Sequence, residues 1–319
     1  MSSMLEYLAG QVHSIAIGGH VRPDGDCMGS CLGLGQYLRE YYPQIRTDVY
    51  LEKFRDVFEN LPGADSVQHT VPEGMTYDLF IVLDCSEPDR LGFSKELFES
   101  AAHTICIDHH VSNQSFAEWN HIVPDNSSTA ELIYDLLPKD RISRETAECL
   151  YLGIVHDTGV FQYSCTAPET MEAAAQLMRK GIDAAEIIQQ TFYEKTYVQN
   201  QLLGKALLES IRFLDGKCIA SVLTLKDLAF YGADTRDLEG IVSQLSITRG
   251  VETAIFMYEL EPQYYKISLR AKNKVDVSKV AEYFGGGGHK KAAGLNMRGK
   301  AHDILNNLAD QIAEQLKQE

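Results

Sequence analysis

The sequence predicts an α/β protein with two domains. The first is an N-terminal, doubly wound domain with a mainly parallel sheet. The second is a smaller C-terminal mixed-sheet α/β domain, with the active site in the cleft between them. Three observations lead to this reading. Residues 14–17, 79–83 and 104–107 are short apolar runs of the kind that form buried parallel strands, and helical stretches alternate with them. Each run leads into acidic or histidine residues: His20, Asp24 and Asp26; Asp84; and Asp108-His109-His110. After a long helical stretch over 184–210, the strand pattern restarts. The expected divisions are a catalytic domain over 1–190, a helical linker over 191–212 and a substrate domain over 213–319.

Taken in order, the 14–17 strand leads into a tight loop over 20–26, in which Gly25 lets the backbone turn between two carboxylates. Met28-Gly29-Ser30 opens a helix whose apolar face is Leu32, Leu34, Tyr37 and Leu38. Strands follow at 48–51, 79–83 and 104–107. Beyond the Asp108-His109-His110 turn, a helix is expected over 130–137. Ser128 and Glu131 match a capping box there, and the same helix start could offer N–H groups to a phosphate; the sequence leaves both readings open. Ser143 caps a helix with Ala147, Leu150, Tyr151, Ile154 and Val155 on one face. It stops at Gly159, so Asp157 sits at a helix end. A further helix covers 171–180. The second domain reads as a strand over 218–225, a helix over 236–245, a hairpin of 253–260 with 264–271, a helix over 277–284, a glycine loop before His289, and an amphipathic helix over 301–316.

The 319-residue chain carries a formal net charge of -16, which argues against broad binding to long DNA, since that relies on basic surface. No apolar run approaches the roughly 20 residues of a membrane span, and the first residues lack the pattern of a secretory signal. Seven scattered cysteines without a Cys-x-x-Cys pair suit a reducing cytoplasm. Cys27, Cys85 and Cys106 lie beside candidate site residues, and packing as small buried thiols is favoured over a ligand role. Residues 262–300 run against the overall charge, with nine Lys and Arg to two Asp and Glu, flanking the glycines. Arg270 is a candidate for a bidentate phosphate contact there, and His289 for a hydrogen bond, with Lys290 and Lys291 next in line.

The acidic residues would repel one another in a pocket without cations, so divalent metal is expected. Mixed histidine and carboxylate donors suit manganese, or else iron, cobalt or zinc, better than calcium, and the lack of Cys-pair spacing argues against a structural zinc site.

These residues resemble the DHH phosphoesterases. The N-terminal motifs stand in order: His20-Val21-Arg22-Pro23-Asp24-Gly25-Asp26 with Gly29-Ser30, Asp84, Asp108-His109-His110, and Asp157-Thr158-Gly159. Gly286-Gly287-Gly288-His289 with Ala292-Ala293-Gly294 resembles the DHH-associated C-terminal domain. The resemblance implies two metals, most readily Mn²⁺, one held by His20, Asp24 and Asp84 and the other by Asp26, Asp84, His109 and Asp157. It also implies that His110 acts on the substrate phosphate or leaving group, and that Asp108 orients the histidines. Arg270, Gly286, Gly287, Gly288 and His289 would hold substrate. The layout is similar to the nanoRNase/oligoribonuclease (NrnA-type) branch. That implies hydrolysis of very short RNA to mononucleotides and of 3′-phosphoadenosine 5′-phosphate to AMP, with cleavage of cyclic or linear dinucleotides as the alternative. A pyrophosphatase and a non-enzymatic nucleotide sensor are disfavoured, the first by the glycine-histidine signature and the second by the complete set of candidate ligands. The expected partners are short oligonucleotides or phosphorylated nucleotides, with no long DNA and no membrane; a homodimer is left open.

Overall fold

The computed structural model describes residues 12–317, which divide into two compact units between Glu194 and Lys195. The first is built on a five-stranded sheet, all of its pairs parallel: β1 (Ser14–Gly18), β2 (Arg46–Tyr50), β3 (Leu79–Leu83), β4 (His103–Asp108) and β5 (Trp119–Ile122). The strand order is β2-β1-β3-β4-β5. β3 has every residue buried, and its side chains serve two cores. Leu79, Ile81 and Leu83 join the larger core, while Phe80 and Val82 join the smaller one on the opposite face. A strand covered on both sides explains the unbroken apolar run.

This order reverses direction between β1 and β3, and open α/β sheets bind ligands beyond the carboxyl ends of the strands at such a switch point. His20, Asp24 and Asp26 follow β1, and Asp84 follows β3. The topology therefore brings the two acidic motifs together from neighbouring strands.

Helices of this unit are α1 (Gly25–Tyr41), α2 (Lys95–Ser100), α3 (Thr129–Leu136), α4 (Arg144–Asp157), α5 (Pro168–Met178) and α6 (Ala184–Ile188). α1 begins at Gly25 rather than Met28, because the Asp24 side chain caps it by accepting from the backbone N–H of Asp26 and Cys27. Gly25 is therefore a helical residue. A Cβ there would stand 2.1 Å from His156 Cγ, so the position is glycine because α4 packs against it, not because the chain turns. Further along, a Cβ on Gly29 would meet the Cys149 carbonyl at 2.5 Å, and one on Gly153 would meet Ala130 Cβ at 2.4 Å. Missing side chains at these crossings let α1, α3 and α4 approach backbone to backbone, which carries Asp157 to the same end of the sheet.

The second unit has a six-stranded sheet in the order β10-β11-β9-β8-β7-β6. Its strands are β6 (Ile211–Phe213), β7 (Cys218–Leu223), β8 (Thr253–Glu261), β9 (Tyr264–Ala271), β10 (Gly287–His289) and β11 (Ala292–Arg298). Only the β7–β8 pair is parallel, so the sheet is mixed. Its helices are α7 (Tyr197–Leu208), α8 (Leu225–Tyr231), α9 (Ile241–Ser246), α10 (Val277–Tyr283) and α11 (Ala301–Lys317). Val280 of α10 and Ile304, Leu308 and Ile312 of α11 cover one face with Ile255, Ile267 and Leu269. On the other face, Leu202 and Ala206 of α7 pack with Ile241, Leu245 and Ala254. Within the 191–212 stretch expected as a linker, α7 thus belongs by packing to the second unit.

Three expectations are corrected here. The 236–245 helix is two pieces, a 3-10 turn at Thr235–Leu238 and α9, separated at Gly240, whose φ of 84° interrupts the helix. α8 has no counterpart in the sequence reading. The expected glycine loop is in part a strand, since Gly287–His289 pairs antiparallel with β11.

Candidate metal centre

Asp26 lies one residue past the start of α1 and is 1% exposed. Its two oxygens accept the backbone N–H groups of Thr129 (2.7 Å) and Ala130 (2.8 Å), the first residues of α3. The N-terminus of α3 is therefore occupied by a carboxylate of the protein itself, which removes the phosphate-binding reading of that helix start. Ser128 does cap the helix by accepting from Glu131 N, but Glu131 does not reach back. Its carboxylate takes the hydroxyls of Ser127 and Thr170 instead, so only half of the capping box forms.

Asp84 leaves β3 with φ 53°, a left-handed conformation that costs a non-glycine residue about 1 kcal/mol or more. It is 2% exposed, and its carboxylate is forked between two groups. Oδ2 stands 3.5 Å from His20 Nε2, while Oδ1 stands 3.8 Å from His109 Nε2 and 3.6 Å from His110 Nδ1. The Thr129 hydroxyl donates to Oδ1 at 3.2 Å.

The remaining groups converge on this fork. Asp24 Oδ1 is 3.6 Å from His20 Nε2. Asp157 Oδ2 is 3.1 Å and Asp26 Oδ2 3.9 Å from His109 Nε2. His20 Nδ1 lies 2.9 Å from the Val21 carbonyl, and His109 Nδ1 3.3 Å from the Asn126 carbonyl. A carbonyl only accepts, so Nδ1 carries the proton in each ring and Nε2 is presented to the carboxylates, the arrangement that suits a histidine to bind metal. Asp108, fully buried, accepts the backbone N–H groups of His109 and His110 at Oδ1 and the Asn113 amide at Oδ2.

The electrostatics describe a pocket that carries protons where a cation would stand. Burial, reinforced by Asp84 and Asp157, pushes the Asp26 carboxyl well above its usual range. Burial also raises Asp157, against the pull of His109. For His20, burial opposes charge, but Cys27, Asp24 and Asp84 together carry it up to about 12. For His109, burial is likewise outweighed by Asp157, Asp26 and Asp84, which bring it to about 10. Sets of donor atoms within 4.8 Å of one another occur at His20, Cys27 and Asp84; at Asp84, His109 and His110; and at Asp26, His109 and Asp157. The donor set fits one or more divalent cations.

In the second unit, Arg270 on β9 pairs with Ala292 on β11, which pairs with His289 on β10. Residues directly opposite across a sheet share a face, so Arg270 and His289 project to the same side. A Cβ on Gly286 would stand 2.4 Å from the Gly294 carbonyl, and one on Gly288 would stand 2.5 Å from Ala293 Cα. These two glycines are required by close packing within the sheet. Gly287 has nothing within 4 Å of a built Cβ and leaves bare backbone on the edge strand.

The DHH family N-terminal domain matches residues 14–154, and the DHHA1 domain matches residues 215–318. The chain belongs to the DHH family. A relative from Thermus thermophilus named bifunctional oligoribonuclease and PAP phosphatase NrnA is 28% identical, over 100% of this chain and 94% of that one. Its Bacillus subtilis namesake is 28% identical over 87% of each. The crystal structure of an exopolyphosphatase-related protein from Bacteroides fragilis superposes with TM-score 0.91 at 27% identity, covering 98% of this chain and 95% of that one. Exonuclease RecJ bound to manganese shares the fold, with TM-score 0.53 at 14% identity over 99% of this chain and 93% of that one.

Within the first unit, the expected residues His20, Asp24, Asp26, Asp84, Asp108, His109, His110 and Asp157 all come together. Three residues that shape the site were not singled out by sequence: Asn113 on Asp108, the Asn126 carbonyl on His109, and Thr129 on Asp84 and Asp26. Their signal was faint. Asn126 and Thr129 lie on either side of the Ser128 cap, and Asn113 lies in the loop after the histidines.

Proposed function

We propose that this DHH protein is a two-metal phosphoesterase. It hydrolyses dinucleotides and slightly longer oligoribonucleotides to mononucleotides and converts 3′-phosphoadenosine 5′-phosphate to AMP. The observation that carries the reading is the forked Asp84 carboxylate, with one oxygen toward His20 and the other toward His109. The two NrnA relatives support the substrate class. His20, Asp24 and Asp84 would hold one cation, and Asp26, Asp84, His109 and Asp157 the other. Manganese suits these mixed nitrogen and oxygen donors. When bound, the cations supply an acidified water and neutralise charge on phosphoryl oxygens.

The chain's own groups do the rest. His110 Nδ1 is 2.7 Å from Asp108 Oδ1, and this bond raises the imidazole above its usual range despite burial. The protonated form of His110 is thereby favoured, and it could give a proton to the leaving oxygen from Nε2. Asp108 fixes the ring and the backbone of both histidines. Arg270 and His289 hold the substrate phosphate from one row of the DHHA1 sheet, with Gly286, Gly287 and Gly288 keeping the edge free of side chains. The basic 262–300 stretch in an acidic chain supports a short anionic substrate. Seven free thiols support a reducing, cytoplasmic setting, and among the described residues no helix is long and apolar enough to cross a membrane.

A second reading has its own support. The cyclic-di-AMP phosphodiesterase PdeA of Listeria monocytogenes is 28% identical over 93% of this chain, which spans 47% of that protein. One panel separates the two. Purified protein with Mn²⁺ is offered a 5′-labelled diribonucleotide, 3′-phosphoadenosine 5′-phosphate, cyclic di-AMP and pyrophosphate. The proposal expects mononucleotide and AMP from the first two at the highest rates. Dominant turnover of cyclic di-AMP favours the second reading, and orthophosphate from pyrophosphate alone overturns both.

A further inference from the structure

The two ends of the Asp84 fork differ in their chemistry. On the His109 side the donors are nitrogen and oxygen only, and His109 and Asp157 are partly exposed. On the His20 side a sulfur joins them: donor atoms of His20, Cys27 and Asp84 lie within 4.8 Å of one another, and all three residues are buried. Cys27 sits in the first turn of α1, two residues after the Gly25 start and next to Asp26. Its sulfur lies against the backbone just past β1, where a Cβ on Gly19 would stand 2.3 Å from Sγ. The missing side chain at Gly19 makes room for the thiol beside His20. Among the described cysteines, Cys27 alone shares such a group with a histidine and an aspartate.

We propose that Cys27 is a protein donor to the cation held between His20 and Asp84, making this half of the centre thiophilic while the His109 half favours harder cations. The inference rests on the metal-centre reading above and goes beyond its all-nitrogen-and-oxygen ligand set. The thiol proton passes to solvent as the metal–sulfur bond forms, so there is no change of oxidation state. Thiolate donors select Zn²⁺ and other soft cations over Mg²⁺, whereas carboxylate and water donors do not. The centre then holds two unlike cations when both kinds are offered, with the softer one in the buried half.

The test is a Co²⁺ titration of the metal-stripped full chain, followed by absorption. The expected result is a near-ultraviolet sulfur-to-cobalt charge-transfer band rising together with the visible cobalt bands. Cys27→Ser should lose the first and keep the second, while Cys31→Ser, which changes the neighbouring thiol, should keep both. Visible cobalt bands without a charge-transfer band in the wild-type protein overturn the proposal, as does a charge-transfer band that survives Cys27→Ser. No cobalt absorption at all would instead overturn the metal-centre reading itself. If Cys27→Ser does not fold, X-ray absorption of the zinc-loaded wild type decides. A sulfur neighbour at about 2.3 Å supports Cys27, and a shell of nitrogen and oxygen alone refutes it.

Discussion

Asp108 Oδ1 lies 2.7 Å from His110 Nδ1, and the same oxygen accepts the backbone N–H groups of both His109 and His110. One buried carboxylate therefore fixes the His110 ring and the backbone of both histidines, while the Asn126 carbonyl orients the His109 ring. Asp108→Asn keeps the size and removes the charge. It should lower kcat on a diribonucleotide by about 10–100-fold, the usual cost of losing an outer-shell partner. Metal content, measured by mass spectrometry, should stay near the wild-type value. Loss of metal with kcat per bound metal unchanged would assign Asp108 a different task.

The metal-free centre should make the fold sensitive to alkali. His20 is raised to about 12 and His109 to about 10, and Asp26 and Asp157 are raised as well. A group whose folded pKa is raised stabilises the fold below its unfolded pKa and loses that contribution as pH climbs through the folded value. For the histidines the window opens near 6.5 and runs to about 10 for His109. The Tm of chelator-treated protein should therefore fall across that range. Mn²⁺ should restore it, with a Tm gap that widens as pH rises. A metal-free Tm flat from pH 6.5 to 10 would contradict the account.

Gly153→Ala tests how Asp157 and Asp26 are brought together. The added methyl would stand 2.4 Å from Ala130 Cβ and 2.9 Å from Asp26 Oδ1. Neither neighbour is the free end of a flexible chain. The variant should lose about 1–3 kcal/mol in denaturant unfolding, the usual cost of overpacking. It should also bind Mn²⁺ more weakly, because α3 must move and its amides fix Asp26. Unchanged stability with unchanged metal affinity would show that the crossing is looser than described.

Arg270 and His289 share a row of the second sheet, one strand apart through Ala292. Arg270→Ala should raise KM for a diribonucleotide by about 10–100-fold, as expected for a lost charge-assisted hydrogen bond, with metal content unaffected. If both residues hold one phosphate, adding His289→Ala should cost less than the sum of the two single effects. Full additivity would place them on separate parts of the substrate.

Much of this was legible in the sequence, because parallel strands announce themselves as apolar runs and the acidic residues follow their ends. Asp84 and Asp108 could be placed for that reason. The start of α1 could not, since Asp24 and Asp26 read equally well as loop ligands until the Asp24 cap was visible. Nor could the duty of the α3 N-terminus: its N–H groups are filled by Asp26, 103 residues earlier in the chain, and no local pattern reports a partner that distant. The second sheet hid its edge for a similar reason. Gly287–His289 has no strand propensity of its own and is a strand because β11 lies beside it.

The most direct test of the two-metal account is activity against metal equivalents. Metal-stripped full chain is titrated with Mn²⁺ while hydrolysis of a 5′-labelled diribonucleotide is followed. The account predicts no mononucleotide without metal, a rise that saturates at two equivalents per chain, and loss of that rise in Asp84→Ala. Hydrolysis that persists in chelator, or that reaches its full rate in Asp84→Ala, would contradict it.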